Sequence, residues 1–304
     1  MGELRLGITG GLWLHEIPAW RIGELAGLVE QAGFESLWVG DHLALPAALP
    51  EGYPYTDDGH VPFPADTPLL DPLVLLGVIA AATTRLNLGT AVYLLPLRAP
   101  VAVARAVATV SALGSGRFTF GIGTGWIRRE FDDAGVGFDD RGARTDEMIP
   151  LLRALWSGDV VEHHGAHYDV GPLQCLPRPD PRPPIHMGGE SARALRRAAA
   201  LGDGWIGMNH APEDAPAAVA RVRGAMAAAG RDADAFEVTI QAVGVPDAAA
   251  LDRYRASGAD RLLVLARPLA DGLSGNAPDA FARFTANLAG LSDVAGLASH
   301  PGPR

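Results

Sequence analysis

Two runs decide the fold, Leu86-Asn87-Leu88-Gly89-Thr90-Ala91-Val92 and Arg117-Phe118-Thr119-Phe120-Gly121-Ile122-Gly123, together with the segment Pro100–Leu113 between them. The runs are short and mostly apolar and end at turn-forming or polar residues, which suits strands covered on both faces by helices. The segment between them has helical spacing, so the three pieces form a strand–helix–strand unit of the kind that joins parallel neighbours. Working outward, the same unit recurs along the chain. Strand-like runs occur at Leu4–Thr9, Ser36–Val39, Leu86–Val92, Arg117–Gly123, Pro184–Gly188, Gly204–Gly207, Phe236–Ala242 and Asp260–Ala266. Helical segments alternate with them at Pro18–Ala32, Leu69–Thr83, Pro100–Leu113, Ala143–Trp156, Ser191–Leu201, Ala215–Ala229, Asp247–Ser257 and Pro278–Gly290. In the first helix Ile22, Leu25, Ala26, Val29 and Ala32 form one apolar stripe, Pro18 opens it and Gly33 suits the left-handed position after it.

Eight such units predict a closed (β/α)8 TIM barrel, an α/β fold. A doubly wound sheet is the competing architecture, but Gly10-Gly11 after the first strand is too little for a dinucleotide-binding turn. Two connections exceed ordinary loop lengths: Leu43–Thr67 after strand 2 and Ser157–Arg182 before strand 5. The first leaves the barrel face where active sites sit and is expected to cover a ligand. The second is expected to be partly extended at Val160–His163 and His167–Val170. Residues 1–297 read as a single domain and 298–304 as a disordered tail.

Composition bounds the function. Hydrophobic residues make up 48% of the 304 residues, enough for a large core. Lys and Arg number 25 against 35 Asp and Glu, a net charge of −10 with no basic stripe, so nucleic acid is not an expected partner. The apolar stretch Pro72–Thr84 is too short to span a membrane, and the first residues lack a signal-peptide pattern. Cys175 is the only cysteine, which fits a cytoplasmic protein without disulfides.

Catalytic groups of a barrel lie just beyond the strand C-termini. Asp41-His42 follow strand 2, pairing a carboxylate with an imidazole able to act as acid and base near neutral pH. Gly188-Gly189-Glu190-Ser191 run from strand 5 into a helix, where open backbone N–H groups and the serine hydroxyl suit a phosphate; a plain glycine turn with a serine cap is the other reading. Gly121, Gly123 and Gly125 alternate through the end of strand 4, as a backbone passing close to a flat ring or a phosphate would need. His163, His164 and His167 lack the companions of a metal site and read as a solvated loop, while His186 reads as a satisfied core histidine. Trp13, Trp38, Tyr93 and Trp126 suggest an aromatic face for an uncharged substrate. No serine-hydrolase elbow and no Walker loop is present.

Three blocks, Leu88–Pro96, Ser115–Trp126 and Pro184–Ser191 with Gly202–Trp205, resemble the bacterial luciferase-like superfamily of F420- and FMN-dependent oxidoreductases. The resemblance implies a TIM barrel, usually dimeric, and a non-prolyl cis peptide at Ala91–Val92 that supports the isoalloxazine or deazaisoalloxazine ring. It implies that Asp41 and His42 lie beside the reactive ring, with His42 moving the proton. It further implies cofactor contacts from Thr90, Ala91, Val92, Gly123, Thr124 and Gly125, and from Gly188, Gly189, Glu190 and Ser191 toward the phosphate. Luciferase proper differs at Thr124 and Asp41-His42. With Arg128-Arg129-Glu130-Phe131 and Arg141–Glu147, the look is closer to the branch that uses coenzyme F420. Sugar-phosphate dehydrogenases of that branch carry a glutamate where Trp126 stands, so their substrate is not expected here. The expected reaction is hydride transfer between deazaflavin C5 and a small uncharged substrate. The alternatives are an FMN-dependent monooxygenase served by a separate reductase and a non-catalytic cofactor-binding barrel. Arg98, Arg128 and Arg129 are the cations available to an acidic cofactor tail, although helix-end arginines are commonly solvated.

Overall fold

The computed structural model describes residues 3–10, 18–56, 58–266 and 278–298. Eight parallel positions close a barrel. They are β1 (Arg5–Thr9), β2 (Ser36–Val39), β3 (Asn87–Thr90) continued by β4 (Tyr93–Leu94), β5 (Phe118–Gly123), β8 (Ile185–Gly188), β9 (Gly204–His210), β10 (Glu237–Ala242) and β11 (Arg261–Leu265). The strand order is β3-β2-β1-β11-β10-β9-β8-β5-β4, and pairing of β3 with β5 closes the ring. Around it lie α1 (Ile22–Gln31), α2 (Pro72–Ala82), α3 (Pro100–Leu113), α4 (Arg128–Asp133), α5 (Arg141–Leu155), α6 (Ala192–Leu201), α7 (Ala215–Ala228), α8 (Ala248–Ala256) and α9 (Pro278–Ala295). The core fills the layer between strands and helices, as in Ile8, Leu37, Leu88, Phe118 and Ile185 facing Leu25, Ile79, Val107 and Leu152.

The differences from the sequence reading have local causes. The third strand does not run unbroken to Val92; it stops at Thr90, the Ala91–Val92 peptide is cis, and pairing resumes at Tyr93 opposite Ile122. α2 starts at Pro72, later than Leu69, because Asp71 caps it: its side chain accepts from the N–H groups of Leu73 and Val74. α4 was not expected at all, since six residues are too few to show a helical period. α5 carries Pro150 in its interior.

The second insertion forms an antiparallel hairpin of β6 (Val160–His164) and β7 (Asp169–Gln174). It docks on α5 through Glu147, which meets His163 Nε2 at 3.0 Å and accepts from the N–H groups of His167 and Tyr168. His167 pairs with Asp140 and His164 with Asp169, and among the described residues no three such side chains converge as metal ligands. Of the tail 298–304, all but Ala298 lie outside the described residues, as do Gly11 and Trp13.

At the floor of the barrel, Arg261 is clasped by Glu35 and Glu237 and lies 5.2 Å from the Trp38 ring. His186 on β8 is buried beside this network, with Nδ1 left 3.8 Å from Glu237 Oε1 and without a hydrogen bond. It is therefore not the satisfied core histidine expected. Burial pushes its imidazole down to about 4 against the opposing pull of Glu237.

Candidate active site

The C-terminal ends of the strands surround a cavity of about 720 Å³. It is bordered by Asp41 and His42 after β2, Ala91 and Val92 at the break in the third strand, and Gly123, Thr124 and Gly125 after β5. Gly188, Gly189, Glu190 and Ser191 close the ring after β8. Thr90 does not border it. That side chain is buried in the strand pairing, where its hydroxyl donates to the Gly121 carbonyl at 2.6 Å.

The glycines make room for protein rather than directly for a ligand. A Cβ on Gly123 would lie 2.5 Å from Val92 Cγ2, and one on Gly188 would lie 2.8 Å from Val92 Cγ1. The Val92 side chain thus occupies the space that two glycines leave, and the chain around the cis peptide bulges between the strand ends. Gly125 and Gly189 have φ of +81° and +114°, conformations that other residues resist. Ser191 caps α6 by accepting from Ala194 N at 3.1 Å. Glu190 turns away from that helix, accepting from Met208 N at 2.9 Å and meeting His210 at 3.1 Å and Arg221 at 3.2 Å.

Asp41 and His42 separate into different networks. Both carboxylate oxygens of the buried Asp41 meet the Arg98 guanidinium, at 2.5 and 2.8 Å, and Oδ2 also accepts from Leu94 N. Burial pushes this carboxyl up and Arg98 opposes it; with both oxygens engaged, the pair holds as an ion pair. Arg98 also covers the Tyr93 ring at 4.4 Å, so it is not available to a cofactor tail. Arg128 and Arg129 are likewise paired, with Asp139 and Asp133. The carboxylate that reaches His42 is Glu130 on α4, with Oε2 3.0 Å from Nδ1.

The first insertion covers the mouth, contributing Tyr53, Tyr55, Phe63 and Thr67 to the wall. Tyr53 lies edge-on to Trp126 at 5.1 Å, and His42 sits between Phe63 at 6.0 Å and Trp126 at 6.2 Å. Burial pushes both Tyr53 and Tyr55 up to about 12, so the phenols stay protonated. Asn209, with φ of 55°, ties the insertion down by donating to the Tyr55 carbonyl at 3.1 Å and accepting from Gln241 at 2.8 Å. The expected aromatic face is met in part: Trp126 borders the cavity, joined by Tyr53, Tyr55 and Phe63, while Trp13 lies outside the described residues. Trp38 packs with Ala91, Ile206 and Leu263, and Tyr93 packs on Phe120; neither borders the cavity.

Tyr53, Tyr55, Phe63, Asn209 and Gln241 are not singled out by the sequence, and Glu130 and Arg141 fall in blocks that carry the resemblance but receive no site role there. Asn209 and Gln241 sit at the ends of β9 and β10, and that strand-end position is the sequence signal that marks them. Arg141 borders the cavity and donates to the carbonyls of Gly125 and Phe138, with no carboxylate in ion-pair reach among the described residues. Burial lowers its pKa; the charge of Asp139 opposes this, and Arg128, Arg193 and Arg197 add like charge. A partly buried cation beside the start of α6 suits an anionic group, so this end of the cavity fits the phosphate of a flavin or deazaflavin.

The sequence profile of the luciferase-like monooxygenase family matches residues 7–292. An uncharacterised protein of Mycobacterium tuberculosis is 35% identical over 238 residues, 78% of this chain and 79% of its own length. The F420-dependent glucose-6-phosphate dehydrogenase of Mycolicibacterium smegmatis is 30% identical over 249 residues, 79% of this chain and 68% of that protein. Among solved structures, the monooxygenase RslO1 from Streptomyces bottropensis superposes with a TM-score of 0.74 at 20% identity, covering 96% of this chain and 98% of that one. Among the described residues no helix is long and apolar enough to cross a membrane.

Proposed function

The chain belongs to the luciferase-like monooxygenase family, and from that premise we propose that it is an F420-dependent oxidoreductase acting on a small uncharged alcohol or carbonyl compound. The observation that carries this reading is the single cavity that brings together the Ala91–Val92 bulge, the Gly188–Ser191 turn with Arg141, and His42. F420 held there supplies a deazaflavin ring whose C5 exchanges hydride with the substrate. The Ala91–Val92 bulge supports the ring, and Arg141 with the start of α6 holds the phosphate. His42 moves the substrate proton at Nε2, because Nδ1 is taken by Glu130. Asp41 acts at one remove, holding Arg98 and the backbone of Leu94 beside the bulge. The first insertion excludes water.

The substrate class follows from the wall around His42. Tyr53, Phe63 and Trp126 carry no charge, and the nearby acids Asp41 and Glu130 are already engaged by donors. Among the described residues a sugar phosphate finds no partner there, in contrast to the substrate named for the Mycolicibacterium smegmatis relative. The reading extends to a cytoplasmic location and to a homodimer. For the dimer, exposed Val74 and Val78 on α2 and Leu113 on α3 offer an apolar face, which light scattering on the purified protein tests.

Titration of purified protein with F420 and with FMN tests the cofactor. We expect F420 to bind more tightly and to be reduced by neutral alcohols but not by glucose 6-phosphate. Binding of FMN alone, with oxygen uptake once a separate reductase supplies reduced flavin, would overturn the reading in favour of a monooxygenase. Binding without any turnover would favour a carrier. Within the reading, His42→Ala lowers turnover on the order of 10²–10⁴-fold with cofactor affinity little changed.

A further inference from the structure

We propose that Glu130 is a positioning residue that fixes the tautomer of His42 and fastens the foot of the covering insertion to it. Its side chain has no solvent exposure and serves two customers. Oε1 accepts from the backbone N–H of Leu43 and from that of Ala44 at 3.4 Å; Oε2 lies 3.0 Å from His42 Nδ1. A carboxylate only accepts hydrogen bonds, so Nδ1 must be the donor and carry the proton. In the neutral ring Nε2 is then the bare nitrogen, and His42 borders the cavity. The rings of Phe63 and Trp126, 6.0 and 6.2 Å away, confine the imidazole to this orientation.

α4 is built to deliver this carboxylate. Glu130 and Phe131 are its buried residues, and Phe131 packs with Leu94 and Leu97 next to the bulge. On the outer face, Arg128 and Arg129 are tied to Asp139 and Asp133. The two residues whose N–H groups Glu130 receives are the first of the insertion, so one carboxylate couples the covering segment to the imidazole.

The consequence for chemistry rests on the F420 reading above. With Nε2 bare, His42 would take the hydroxyl proton of an alcohol, and bound F420 would accept the carbinol hydrogen as hydride. Both electrons of the C–H bond leave with that hydride, and the C–O bond becomes C=O. The reverse reaction begins from the imidazolium.

Glu130→Gln separates this role from simple packing. The amide keeps the shape but has one accepting oxygen, which the N–H groups of Leu43 and Ala44 claim. Its NH₂ then faces Nδ1, which must accept, and the ring proton moves to Nε2. Long-range proton–nitrogen correlation spectra at about pH 8, where imidazoles are ordinarily neutral, read the tautomer directly; the His42 signal is identified by its loss in His42→Asn. The expected result is Nδ1–H in the wild-type chain and Nε2–H in Glu130→Gln. An Nε2–H tautomer in the wild type, or an unchanged tautomer in the variant, overturns the proposal. Should the variant not fold, the wild-type spectrum decides alone. In the variant, hydride transfer should fall on the order of 10²–10⁴-fold in kcat, by analogy with the carboxylate-to-amide change in a serine protease triad. Affinity for F420, measured on the same samples, should be unchanged. Absence of F420 binding to the wild type would refute the functional reading while leaving the tautomer result standing.

Discussion

Replacing Gly123 by alanine tests how the cavity is supported. The new methyl would sit 2.5 Å from Val92 Cγ2, 3.5 Å from its Cβ and 3.8 Å from Leu94 Cδ2. Carbon atoms in contact prefer about 3.5–4.0 Å, so the first separation is short by about 1 Å. Val92 cannot yield toward β8, where the room for Cγ1 already depends on Gly188 lacking a Cβ. The strain must therefore displace the bulge itself, at about 1–3 kcal/mol for overpacking. If the bulge supports the cofactor ring, a displacement of about 1 Å lowers turnover on the order of 10²-fold. Urea unfolding and F420-dependent turnover measure the two effects. Val92→Ala in the same chain removes the colliding methyl, so the double variant should recover about 1–2 kcal/mol relative to additivity. Wild-type stability in Gly123→Ala, or strictly additive losses in the pair, would refute the claim that Gly123 exists to admit Val92.

Three further outcomes follow from the geometry. Arg141→Gln should weaken cofactor binding and flatten its salt dependence, measured by titration at low and high ionic strength, because it removes a cavity-facing guanidinium without a carboxylate partner among the described residues. His186 sits near 4 in the folded chain, against the ordinary 6.5 that it regains on unfolding. Its neutral form stabilises the fold fully above about pH 6.5. That contribution is lost as pH falls toward 4, about 2–3 kcal/mol by pH ~4.5, because only the unfolded chain takes up the proton. His186→Gln should flatten that part of the stability–pH curve in urea melts; an unchanged slope would show that the imidazole does not titrate this way. Asn209→Gly keeps the left-handed backbone open to the residue but removes its bond to the Tyr55 carbonyl, so chymotrypsin should cleave the insertion after Tyr55 severalfold faster while the barrel stays intact.

The barrel was legible because its signals are local and repeated. Apolar runs of strand length alternate with helices of full period, so boundaries such as Pro100–Leu113 and Ser36–Val39 coincide with the observed elements. Caps shifted others, as Asp71 did for α2. Most candidate site residues also fell on one cavity, because barrel topology alone dictates that the strand ends converge. The pairings within that cavity were not legible. Adjacency in sequence suggested that Asp41 serves His42, yet Asp41 turns to Arg98, and the imidazole is met by Glu130, a residue 88 positions along the chain.

By itself, the sequence determined the number and order of the barrel strands, the longer helices that alternate with them, the two long insertions and the set of strand ends from which chemistry could come. Periodicity and turn chemistry are properties of neighbouring residues, and they survive in a one-dimensional string. Tertiary structure alone decided that Gly123 and Gly188 make way for Val92, that Asp41 is spent on Arg98, and that a short unannounced helix supplies the carboxylate for His42. Each of these depends on which atoms approach across the barrel mouth, where burial forces every donor and acceptor to find a partner. That choice is made by packing among distant segments rather than by the order of residues along any one of them.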